Sequence, residues 1–175
     1  MAWSVLLSAL ISLWMTLSAC ETLIENRIPS MPVNINLSGH GIWNTYGVAA
    51  WGQNRRFILS SNLREPAGFP YPSTAATGFG GVLLIYGMHP FTTELAPIAY
   101  DLSCPVERSR TVRVEVDPLN DWEAFCPVCG SRYNVVERGG APISGQALLD
   151  RYRLHMYQCI PLADGSGGYL ITNCK

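Results

Sequence analysis

YDLSCPVERSRTVRVEVDPLNDWEAFCPVCGSRYNVVERGGAPISGQA, residues 100–147, decides how the rest of the chain is read. It holds three of the six cysteines, in two loops that both spell Cys-Pro-Val: Cys104-Pro105-Val106 and Cys126-Pro127-Val128. Between the loops Thr111 to Val116 (TVRVEV) alternates apolar and polar residues as a half-buried strand does, and Pro118-Leu119-Asn120-Asp121 has the composition of a turn. Trp122-Glu123-Ala124-Phe125 leads into the second loop, which runs on as Cys129-Gly130-Ser131-Arg132-Tyr133. Strand, turn and strand joining two cysteine loops is an all-β pattern.

Working outward, Gly80-Gly81-Val82-Leu83-Leu84-Ile85-Tyr86 reads as a buried strand bounded by glycines, and Pro97 to Leu102 as the strand that delivers the chain into the first loop. Pro32 to Leu37 alternates as an exposed strand does. Residues 38–80 are rich in Gly, Asn, Pro and aromatics with weak periodicity. They read as one or two short strands plus a long loop, with the aromatics packed as a satellite cluster on the main body. Arg132 to Glu137, Arg151 to Cys159 and Tyr169 to Cys174 are the remaining expected strands, and the Gly-rich run 163–168 is a hairpin connection. Folding that hairpin about Ser166 and Gly167 sets Cys159 opposite Cys174, so a disulfide between them is expected.

The cysteine loops resemble the Rieske iron-sulfur domain, in which a C-x-H loop and a C-x-x-H-x-S loop hold a two-iron cluster and a Gly/Pro-rich loop covers it. Gly140, Pro142, Gly145 and Ala147 stand where that cover would be. The resemblance implies a Rieske-like antiparallel β sandwich or barrel with two Cys loops and a C-terminal hairpin. It further implies that Cys104 and Cys126 fall at the thiolate positions, and that Ser131 and Tyr133 fall where hydroxyls tune the cluster. It fails at both imidazoles: Val106 takes the first histidine position and Cys129 the second. The cluster needs two thiolates and two imidazoles, so the expectation is a scaffold with no cofactor. The alternatives are a two-iron cluster or zinc held through Cys104, Cys126 and Cys129. The pairing among these cysteines is open, since Cys104 can oxidise with either Cys126 or Cys129. His40, His89 and His155 sit at none of the family's ligand positions.

Residues 1–19 form an uncharged apolar run ending before Cys20, and Leu17-Ser18-Ala19-Cys20 resembles a bacterial lipoprotein signal that lacks its usual Lys or Arg. The resemblance implies cleavage at 19, acylation of Cys20, a tether over 20–28 and a domain over 29–175. The expected place is the cell envelope, with Glu21 after the cysteine leaning toward the outer membrane and a domain facing the periplasm, where disulfides form. The expected partners are the membrane, through the lipid, and a protein. A formal charge of −1 without a basic cluster argues against nucleic acid. No nucleophile elbow, phosphate loop, H-E-x-x-H or paired-carboxylate pattern appears, which argues against an enzyme.

Overall fold

The structure is a computed structural model and describes residues 22–165 and 167–173. Cys20, Ser166 and Cys174 lie outside the described residues. The fold is nearly all β: an eight-stranded antiparallel sheet curls into a half-barrel, and a second sheet of four strands lies beside it.

The large sheet grows from its most apolar segment. Strand β5 (Val82–Met88, VLLIYGM) is bracketed by β2 (Asn54–Leu59) and β6 (Leu95–Asp101), and the β5–β6 pairing runs from Val82↔Asp101 to Met88↔Leu95. Both faces of β5 are covered. Leu83 and Ile85 enter one core with Ile58, Ile98, Tyr100 and Leu102, while Val82 and Leu84 enter a second with Ile35, Phe57, Ala99 and Ile171. The strict alternation follows from the two-residue period of a strand, and it lets one strand serve two cores. Beyond β6 come β11 (Met156–Pro161), β12 (Tyr169–Thr172), β1 (Val33–Asn36) and the short β4 (Ala76–Thr77). The short β3 (Arg64–Glu65) closes the other edge.

The small sheet has the order β10-β9-β8-β7, from β7 (Glu115–Asp117), β8 (Asn120–Phe125), β9 (Arg132–Asn134) and β10 (Ala141–Ser144). Its Ala124, Cys126 and Tyr133 pack into the first core, so that core is shared between the sheets. The two cysteine loops lie at this shared layer.

Four expectations are corrected. The strand read over Thr111–Val116 is strand only at its last two residues, since β7 runs Glu115–Asp117. The segment 38–80 contains a helix, α1 (His40–Tyr46), that no periodicity announced; it has no buried residue and no side-chain cap, so the usual signals are missing. Its aromatics do pack on the barrel as expected, with Phe57, Tyr46 and Tyr71 all within 5.2 Å of the Phe69 ring, centroid to centroid. Residues 151–155 are not strand. A one-turn helix, α2 (Gln146–Leu149), precedes them, and β11 begins only at Met156. The final hairpin pairs Cys159 with Ile171 and Ile160 with Leu170, so it folds about Gly165 and not about Ser166 and Gly167; the expected Cys159–Cys174 disulfide involves a residue outside the described ones. The Leu162 amide closes that turn on the Gly168 carbonyl at 2.9 Å. Among the described residues no helix is long and apolar enough to cross a membrane.

Candidate metal or thiol site

Strand β6 ends at a polar knot that aims the first loop. The Asp101 carboxylate, fully buried, accepts hydrogen bonds from the amides of Ser103 (2.7 Å), Phe79 (2.9 Å) and Gly80 (3.0 Å) and from the Tyr157 hydroxyl (2.5 Å). Burial pushes this carboxyl above its ordinary value, against the lowering effect of Tyr157 and the three amides. Fixing Ser103 fixes the next residue, Cys104. Backbone bonds from Val114 to Leu102 and from Cys104 to Val112 then stitch the loop's two arms together.

The second loop leaves β8 at Cys126 and re-enters at β9. The Cys126 amide donates to the Ser131 carbonyl at 2.9 Å, and Gly130 sits at φ 69°, a left-handed conformation that favours glycine over a residue with a Cβ. The reach of the two loops brings Cys104, Cys126 and Cys129 together, their sulfurs all within 4.8 Å of one another. Cys104 Sγ lies 3.7 Å from Cys129 Sγ. The first two cysteines are buried and Cys129 is half-buried.

Ser131 and Tyr133, named from the resemblance, both reach this group. The Tyr133 hydroxyl is 3.5 Å from Cys104 Sγ, and Ser131 Oγ is 3.2 Å from Cys129 Sγ. Ser131 Oγ accepts both the Ala147 amide at 3.1 Å and the Cys129 thiol, whose sulfur is the donor of that pair. The segment after β10 closes over this serine: a Cβ on Gly145, whose φ is 76°, would stand 2.8 Å from the Ser131 Cα. The glycine is therefore required twice, by conformation and by contact.

The three thiols are not equivalent. Burial raises Cys104 to about 12, outweighing the bonds from Tyr133 and from the amides of Glu107 and Val106. Burial raises Cys126 as well, against the amides of Cys129 and Val128. At Cys129 burial is outweighed: the Ser131 hydroxyl and amide, with the other two thiols, hold it below the ordinary thiol value. Cys129 is thus the most acidic of the group and the one nearest solvent.

The donor set does not fit a Rieske cluster. Cys104 and Cys126 can serve one iron, but the second would have Cys129 alone, because Val106 carries no lone pair. Among the described residues no histidine joins the group. His155 lies 3.9 Å from a Glu25 carboxylate oxygen, His89 stacks edge-on against Phe91, and His40 opens α1. Cys159 is on β11 in the other core, away from the three.

Sequence reading missed Asp101, which announces itself by nothing except an acidic residue inside an apolar strand. It also missed the exposed apolar side chains beside the loops, Val128 at 62% exposure with Leu148 and Leu149 on α2 at 48% and 77%. No protein-family model, curated protein or solved structure matches this chain.

Proposed function

We propose that the chain is a bacterial envelope lipoprotein, held to the membrane through acylated Cys20, whose domain keeps a Rieske-like scaffold without the two-iron cluster. Its role is that of an accessory or binding module, not an enzyme. The observation that carries this reading is the donor count: three sulfurs converge and a valine stands where a fourth ligand belongs. Exposed Val128 in the second loop, with Leu148 and Leu149 next to Ala147, whose amide bonds Ser131 of the pocket, supports a protein partner docking there. A lipid anchor with two or more acyl chains would keep the module at the membrane stably.

Protein purified without oxygen tests the cluster-free reading. The expected sample is colourless and free of iron, with no visible charge-transfer bands. Two irons per chain would overturn the reading in favour of an electron-transfer protein that uses Cys104, Cys126 and Cys129. For the anchor, mass spectrometry of the membrane-extracted protein is expected to find an acylated Cys20 as its first residue; an intact 1–19 segment or an unmodified Cys20 would sink the lipoprotein assignment.

A further inference from the structure

The two Cys-Pro-Val loops are one local structure built twice. In each, the cysteine carbonyl accepts a hydrogen bond from the amide four residues on: Arg108 to Cys104 at 2.8 Å and Gly130 to Cys126 at 2.9 Å. In each, that residue is left-handed, with φ 53° at Arg108 and 69° at Gly130. In each, the amides two and three positions on face the cysteine sulfur, those of Val106 and Glu107 in the first loop and of Val128 and Cys129 in the second. The proline after each cysteine has no N–H and a fixed φ, which presets the turn.

Equivalent backbones place equivalent side chains. The third residue after the cysteine is Cys129 in the second loop, where it meets Cys126 within the sulfur group. In the first loop that position is Glu107, half-buried and carrying a carboxylate on a longer side chain than cysteine has. Its oxygens lie outside the 4.8 Å sulfur group in this structure, so a Glu107 ligand needs another side-chain rotamer than the one present.

We propose that Cys104, Glu107, Cys126 and Cys129 bind one zinc-class divalent cation, two donors from each loop. The inference rests on the cluster-free reading above. Zinc takes four thiolate, imidazole or carboxylate donors in a tetrahedron, and Zn–S bonds of ~2.3 Å place sulfurs ~3.8 Å apart. The Cys104–Cys129 separation of 3.7 Å already meets that spacing. On binding, each thiol gives its proton to solvent as its sulfur bonds the cation, and no electron is transferred. The loop amides and the Tyr133 hydroxyl lie against the sulfurs, and the Ser131 hydroxyl, which accepts from the Cys129 thiol, can turn to donate once that thiol has lost its proton, which offsets the negative charge the ligands bring. The valine that spoils a cluster is harmless here, because the fourth donor comes from the next residue.

The test uses the full-length chain in detergent, reduced and stripped of metal under nitrogen, then titrated with Zn(II) against a chromophoric chelator and with Co(II) for its spectrum. The expected result is one metal per chain, with tetrahedral cobalt bands and sulfur-to-cobalt charge transfer of three-thiolate intensity. Cys129→Ser should lower the charge transfer by about a third and weaken binding at least ~100-fold, whereas Glu107→Gln should keep the charge transfer and weaken binding ~10-fold. Circular dichroism confirms that each variant is folded. Failure of the folded wild-type chain to bind one equivalent, or a Cys129→Ser variant that binds as wild type does, overturns the site. A Glu107→Gln variant with unchanged affinity and cobalt bands overturns the carboxylate ligand. A colourless protein that refuses zinc defeats only this inference, while iron in the purified protein defeats the reading beneath it.

Discussion

Asp101 and Cys104 stand a few residues apart at the exit of β6, both fully buried, and they settle the cost of buried polar atoms in opposite ways. Around Asp101 every group is used: three amides and a tyrosine hydroxyl converge on one carboxylate. Around Cys104 the donors also converge, but on three separate sulfurs that have no covalent link and only weak mutual hydrogen bonds. A closed polar knot explains itself by the backbone it holds. An open one leaves three buried or half-buried thiols whose donors outweigh burial only at Cys129.

The largest test of that contrast is Asp101→Ala. It leaves three amides and the Tyr157 hydroxyl without their acceptor, and unfolding in urea should show a loss of about 3–5 kcal/mol. A loss under ~1 kcal/mol would show that the knot is not what fixes the first loop. Gly145→Ala comes next, at about 2 kcal/mol, because the new Cβ is both left-handed and pressed on Ser131. Ser131→Ala should cost about 1–2 kcal/mol by stranding the buried Ala147 amide, and thiol titration of that variant should find Cys129 less acidic than in the wild type. The smallest effect belongs to Cys129→Ala in metal-free protein, within about 0.5 kcal/mol, since the residue is half-buried and holds no backbone in place. A large loss there would make Cys129 a structural residue and erase the distinction between the two regions.

Most of the β framework could be read from the chain, because VLLIYGM and the alternating runs around it state their period openly. The helix over His40–Tyr46 could not, since two turns are too short to show a period, its Ile42, Trp43 and Tyr46 are only partly buried, and no side chain caps it. The hairpin register was misread for a local reason: a Gly-rich turn does not declare its centre, and moving that centre to Gly165 shifts the partner of Cys159 to Ile171. At the site, the repeated Cys-Pro-Val named the three thiols, and the run Cys129-Gly130-Ser131-Arg132-Tyr133 named the two hydroxyls. Glu107 and Cys129 each follow a Cys-Pro-Val in the letters; what the letters do not record is that both loops close the same backbone turn onto the cysteine carbonyl. Asp101 was hidden too, its partners lying at residues 79, 80, 103 and 157.

The first loop is riveted to the half-barrel through Ser103, whereas the second rides on the four-stranded sheet. The gap between Cys104 and Cys129 therefore works as a feeler gauge for how the two sheets sit against each other. The distance between those two sulfurs is thus set by two sheets at once, one holding each loop.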